Sequence, residues 1–124
     1  MKLLNTYTYE IKKSKFIGLM YHVESKDEVK EILESLKKEH KKARHIPYAY
    51  KIGPIASKSD DKEPNNTAGM PIYNIIENKN LDNVLIVVVR YFGGTKLGAG
   101  GLFRAYMEAA RTVSLGDNNE MQME

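Results

Sequence analysis

The segment from Asn83 to Val113, NVLIVVVRYFGGTKLGAGGLFRAYMEAARTV, most constrains what this chain can fold into. Val84 to Val89 is an unbroken aliphatic run, too short to span a bilayer and bounded by turn residues. Such a run predicts a strand buried on both faces. Arg90, Tyr91 and Phe92 close the strand, and Gly93, Gly94, Gly98, Gly100 and Gly101 follow in quick succession. From Leu102 the apolar spacing becomes helical, with Leu102, Ala105, Tyr106, Ala109 and Val113 on one face. The layout is buried strand, glycine-rich loop, amphipathic helix.

A glycine loop running into a helix has two physical readings. The first amides of a helix lack intrahelical partners, and the dipole leaves that end partly positive. Glycines let an anion come close to the backbone, and Arg90, Lys96 and Arg104 add charge nearby. In the other reading the glycines only supply tight turns or close helix–sheet packing. GxxxxGK[ST] is absent, and Gly98-Ala99-Gly100-Gly101 does not make GxGxxG, so neither common nucleotide fingerprint applies.

At 124 residues the chain is expected to form one domain, residues 1–115, followed by a polar, disordered tail at 116–124. No charged-then-apolar leader is seen, and no apolar run suits a membrane. The absence of cysteine excludes disulfides, thiolate metal sites and cysteine nucleophiles, and favours a cytoplasmic protein. The net charge of +3 understates the basicity of the domain. The tail holds three of the 16 acids and no base, so the remainder carries 19 − 13 = +6. That balance is compatible with a polyanionic partner without demanding one.

Taken in order, Tyr7, Tyr9 and Ile11 alternate with polar residues as in a half-buried strand. Lys13-Ser14 reads as a turn, and Lys15 to Val23 as the returning strand. Ser25 and Glu28 form a capping box ahead of an amphipathic helix over residues 26–41. The basic run Lys37, Lys38, Lys41, Lys42 and Arg44 suits the negative end of that helix. His45 to Ile52 reads as a third strand, with Pro47 near its start or at an edge. Gly53 to Gly69 reads as a long polar loop carrying Asp60, Asp61 and Glu63, which are solvated or gather a hard cation. A short helix starting near Pro71 and ending near Asn78 completes the pattern.

Three segments resemble a known family: EIKKSKFI at 10–17, SDDKEPNNTAGMP at 59–71 and RYFGGTKLGAGGL at 90–102. Together they make residues 6–115 similar to the conserved domain of the IMPACT family, the YigZ-like proteins. In that family the acidic motif usually reads SDDGEPSGTAG, so Lys62 stands for a glycine and Asn65-Asn66 for Ser-Gly. The family's His-Asn-Cys-Tyr-Ala-Tyr appears as His45-Ile46-Pro47-Tyr48-Ala49-Tyr50. The resemblance implies an α+β fold, a two-layer α/β sandwich like the second domain of ribosomal protein S5. It also implies a link to translation. Eukaryotic members regulate an initiation-factor kinase pathway by binding its activator, and bacterial members have been proposed to bind nucleic acid. No reaction is established for the domain, so an enzyme is not the leading expectation.

Two functions follow. The first is a translation-associated binding domain for RNA, the ribosome or a regulatory protein. Its candidates are Arg90, Tyr91, Gly93, Gly94, Lys96, Gly98, Gly100, Gly101 and Arg104, with Tyr48, Tyr50 and Tyr106 as stacking or core residues. The second is an enzyme or sensor for a phosphorylated small molecule. There the glycine loop holds phosphate, while Asp60, Asp61 and Glu63 hold Mg²⁺ or act as base, with His45 and Thr67 in support. No resident cofactor or metal is otherwise expected. If the acidic and glycine-rich motifs form one site, they must meet on one concave surface.

Overall fold

The aliphatic run becomes the middle strand of a five-stranded antiparallel sheet. A computed structural model describes residues 1–115; the expected tail, residues 116–124, lies outside them. In chain order the elements are β1 (Lys2–Ile11), β2 (Ser14–His22), α1 (Lys26–Glu39), β3 (Tyr48–Ile52), β4 (Ile55–Ser59), α2 (Gly69–Asn78), β5 (Val84–Tyr91) and α3 (Gly98–Val113). The sheet order is β1-β2-β5-β3-β4, and every neighbouring pair is antiparallel.

Strand alternation sends the residues of β5 into two cores. Val84, Ile86 and Val88 pack with α2 and α3, through Ile72, Ile76, Leu102, Tyr106 and Ala109. Leu85, Val87 and Val89 pack with α1, through Val29, Ile32 and Leu36. Burying each such side chain stabilises the fold by about 1.5–3 kcal/mol. The mixed α+β class expected from the sequence holds, but the two-layer arrangement does not describe it: α2 and α3 lie together on one side of the sheet and α1 covers the opposite side, because β5 is apolar on both faces. Helix α1 starts on the serine half of its capping box, Ser25 Oγ accepting from the Glu28 amide at 3.2 Å, while Glu28 bonds one residue before the N-cap. Glu28 Oε1 reaches back to the Glu24 amide at 2.9 Å.

Four local boundaries differ from the sequence reading. The β1–β2 turn is Lys12-Lys13, both at positive φ (49° and 68°), so Ser14 opens β2 instead of sitting in the turn. Strand β3 begins at Tyr48. Upstream of it, Pro47 has no N–H to give but its carbonyl accepts from the Val88 amide at 3.0 Å, and His45 makes one isolated bridge to Arg90. The expected loop from Gly53 to Gly69 contains β4, leaving the Gly53-Pro54 turn and residues 60–68 outside strands and helices. Helix α3 begins at Gly98, so Gly98, Gly100 and Gly101 belong to its first turn and not to a loop. The connection between β5 and α3 shrinks to residues 92–97.

Candidate functional site

The end of β5 brings the two sequence motifs together. Arg90 continues the alternation onto the α2–α3 side, where its side chain is almost completely buried. Its Nη1 donates to Glu63 Oε2 at 2.7 Å, and the Tyr106 hydroxyl donates to the same oxygen in a short hydrogen bond. Burial, reinforced by the Glu63 charge, pushes the Tyr106 phenol above its ordinary pKa, so it stays a donor. The Arg90 guanidinium lies 5.5 Å from the Phe16 ring centre and 5.6 Å from that of Phe92. Among the described residues, Arg90 Nε is the buried side-chain polar atom that has no hydrogen-bond partner.

The acidic loop is held by its own carboxylates. Asp60 Oδ1 accepts from the Ala68 and Gly69 amides at 3.1 and 2.8 Å, and Oδ2 from the Asn66 amide at 2.9 Å. It thereby caps α2, whose N-cap Ala68 offers no side-chain acceptor. Asp61 Oδ2 accepts from the Ile46 amide at 2.7 Å, and its carbonyl takes a hydrogen bond from His45 Nδ1 at 2.7 Å. With a carbonyl as partner, Nδ1 carries the proton, and Nε2 faces Glu63 Oε1 at 3.5 Å. Thr67 donates to the Pro64 carbonyl at 2.6 Å and is buried. Lys62 and Asn66, which stand where the family has glycines, both adopt positive φ, 71° and 63°. The loop keeps a backbone suited to glycine while carrying side chains there.

Above the Glu63–Arg90 pair lies a cleft of about 390 Å³. Arg44, His45, Phe92 and Lys96 line it, together with Gly98 and Ala99 at the start of α3. The Arg44 guanidinium sits 4.7 Å from the centre of the Phe92 ring, which is 36% exposed. Helix α3 begins without a side-chain cap and without an acid in its first turn, so its free amides keep their positive end uncompensated.

The acidic loop therefore meets the glycine segment through Glu63, with His45, Arg90, Lys96 and Gly98 around one cavity. Asp60, Asp61 and Thr67 are turned to backbone partners, and a hard cation would have to break those bonds to use them. Among the described residues, no group of three or more His, Cys, Asp or Glu is arranged to hold a metal ion. Tyr48, Tyr50 and Tyr91 belong with the core on the α1 side of the sheet. Tyr48 and Tyr50 stack at 6.3 Å, and the Tyr91 hydroxyl meets His40 Nδ1 at 2.5 Å. Tyr106 is core, as its place on the apolar helix face suggests.

The glycines divide by role. A Cβ on Gly93 would lie 2.1 Å from the Lys13 carbonyl, so this position is glycine because the β1–β2 turn packs on it. Gly94 and Gly98 sit at φ 95° and 74°, the left-handed region. Arg104 is exposed farther along α3. Sequence reasoning missed Arg44 and Phe92 as cleft residues. Helix α1 ends at Glu39, so Lys41, Lys42 and Arg44 lie beyond the turn that its dipole could account for.

The comparisons with known proteins agree with this architecture. Residues 12–114 match the family model described as the Impact N-terminal domain. The IMPACT family member YvyE of Bacillus subtilis (strain 168) is 43% identical over 112 residues, covering 88% of this chain and 50% of that protein. The chain thus spans about half the length of this curated relative. A crystal structure of a hypothetical protein superposes with a TM-score of 0.85 at 34% identity, over 92% of this chain and 61% of the other. The structure of the two-domain translational regulator Yih1 matches with a TM-score of 0.56 at 27% identity, over 94% and 46% of the two chains. The chain belongs to the IMPACT family.

Proposed function

We propose that this chain is a binding domain acting in the regulation of translation, and that it recognises RNA through phosphate contacts along one basic band. One observation carries the reading. Lys38, Lys41 and Lys42 share a shallow concavity with Tyr91 and Glu39, Arg44 and Lys96 line the cleft, and Arg104 lies with Lys12 and Glu108 in a hollow that shares Leu97 with that cleft. No ion pair among the described residues joins any of these cations to a carboxylate. Arg90, by contrast, is neutralised by Glu63 and serves the floor of the cleft. Cations outnumbering the carboxylates around these hollows, with no ion pair to them, suit a phosphate backbone better than an apolar protein partner. Exposed Phe92 adds a surface on which a base can stack. The description of Yih1 as a translational regulator supports the translation side of the reading, and a cytoplasmic location goes with it.

Anisotropy titration with a short single-stranded RNA at several salt concentrations tests it. The triple variant Lys41→Ala, Lys42→Ala, Lys96→Ala should weaken binding to all sequences alike. It should also lower the slope of log K against log salt by about 0.7 per lost contact. Wild-type protein without affinity for RNA or ribosomes at low salt would remove the RNA reading.

A further inference from the structure

We infer that the cleft between the acidic loop and α3 takes an unstacked guanine base, read at its edge by His45 Nε2 and Glu63 Oε1. This deepens the RNA reading and rests on it for one of two ligand sources, a guanine in a single strand. The other source is a free guanine nucleotide.

Two acceptors face each other with no donor between them. His45 gives its Nδ1 proton to the Asp61 carbonyl, which leaves Nε2 as a bare lone pair on the neutral ring. Glu63 engages Arg90 and Tyr106 through Oε2, and no described residue donates a hydrogen bond to Oε1. Nε2 and Oε1 lie 3.5 Å apart, on side chains that are 16% and 2% exposed. Among the described residues, the sealed side-chain polar atom left without a partner is Arg90 Nε. Oε1 and Nε2 have no hydrogen bond either, so neither is sealed, and the open space that both residues line is the cleft. Buried polar groups almost always find partners. This pair calls for a ligand that brings the donors.

Spacing selects that ligand. The two N–H bonds of one amino group diverge by about 120°, which sets their acceptors about 5 Å apart at ordinary hydrogen-bond lengths. Acceptors 3.5 Å apart suit two nearly parallel N–H bonds on neighbouring atoms instead. Among the four RNA bases guanine carries such a pair, at N1 and the exocyclic N2. Adenine and cytosine set an acceptor ring nitrogen beside their amino group, and uracil flanks its one N–H with carbonyls. Each of these would press a lone pair against Oε1 or Nε2. A guanidinium offers the same two donors, but it is a cation, and Arg44, Arg90 and Lys96 line the cleft against the single carboxylate of Glu63. A neutral base meets no such repulsion. Pro64, Phe92, Leu97 and Leu102 add apolar lining for the faces of the ring, and about 390 Å³ has room for a base.

The test is fluorescence anisotropy at pH 8, above the range in which histidine ordinarily changes charge. The probes are uridine heptamers whose central residue is adenosine, inosine or guanosine, with calorimetry of GMP against AMP alongside. We expect guanosine to bind at least about tenfold more tightly than adenosine, with inosine, which keeps N1–H and lacks the amino group, in between. The variant is His45→Asn. Its amide nitrogen stands where Nδ1 stands and keeps the bond to the Asp61 carbonyl, while the Nε2 acceptor is gone, so guanosine should lose most of its lead. That lead with GMP silent would assign the site to RNA. GMP binding that His45→Asn weakens, without any RNA affinity, would keep the guanine site, assign it to free nucleotides and remove the RNA reading. Equal affinity for the adenosine and guanosine heptamers would overturn the guanine site and leave the RNA band standing. A guanosine lead that survives in His45→Asn would also overturn it. So would equal affinity of the wild type for inosine and guanosine, whatever the variant does, and a protein that binds none of the probes would lose both readings.

Discussion

Replacing Glu63 by glutamine tests whether one buried carboxylate holds the two family motifs together. Glu63 Oε2 receives Arg90 Nη1 at 2.7 Å and the Tyr106 hydroxyl, and both partners are buried. Removing one member of a buried ion pair costs about 3–5 kcal/mol, because the remaining charge stays buried without compensation. Glutamine keeps an acceptor oxygen in the same place, so the lower end applies, about 3 kcal/mol. Tyr106→Phe keeps the ring that meets Phe16 edge-on at 5.0 Å and loses only the hydroxyl. A hydrogen bond to a charged group is worth about 1.5–3 kcal/mol, and Arg90 still satisfies the acceptor, so about 1.5 kcal/mol is expected. In the Glu63→Gln background the charged acceptor is already gone, and the same change should cost roughly 0.5 kcal/mol. The coupling is then about 1 kcal/mol. Urea unfolding followed by far-UV circular dichroism, at constant m-value, measures all four proteins. Full additivity of the two changes, or a Glu63→Gln cost below about 1 kcal/mol, would refute the buried network as a structural tie.

Further outcomes follow from individual positions. Gly93→Ala should destabilise by about 2 kcal/mol or more, because its methyl would overlap the Lys13 carbonyl, whereas Gly100→Ala should stabilise by about 0.5–1 kcal/mol, since only the Arg104 side chain stands near it. Thermal melts decide both. Lys62→Gly should raise stability by about 1 kcal/mol by relieving a left-handed φ at a non-glycine residue, and an unchanged melting temperature would count against strain at that turn. Glu108 has its pKa held below the ordinary 4.5, chiefly by the Arg111 hydrogen bond. Its contribution is therefore full above the unfolded value and is lost as pH falls through the lower folded value, so Glu108→Gln should flatten the acid limb of a stability–pH profile below about pH 4.5.

How legible the molecule was depended on whether a residue's role was local or tertiary. The β5 run, the capping box at Ser25 and the apolar faces of α1 and α3 announce themselves by period, since burial on a strand or helix repeats along the chain. Strand β4 did not, because Ile55 to Lys58 are all exposed at the sheet edge and no alternation marks them. The start of α3 was hidden for the opposite reason. Glycines weaken helix propensity, so no local signal marks Gly98 to Gly101 as the first turn of the helix. At the site, Arg90, Lys96 and Gly98 were legible as cleft residues, since they share one short segment. Their partners came from elsewhere: Arg44 beyond a helix end, and Glu63 from a loop 27 residues away.

The acidic motif reads differently once its partners are known. A dense cluster of acids beside a glycine segment suggests metal-assisted chemistry, because a plain binding domain has no obvious need of it. Here the fold supplies the need. Asp60 caps α2, Asp61 holds the Ile46 amide and orients His45, and Glu63 neutralises a buried arginine. Each carboxylate answers a backbone or charge requirement that would otherwise cost stability. With the acids turned inward, the cations around the rim are left unopposed, and the outward face of the motif pair is basic. One stretch of sequence thus serves both ends: its carboxylates hold the cleft in shape, and by doing so leave the cleft's positive charge available to a ligand.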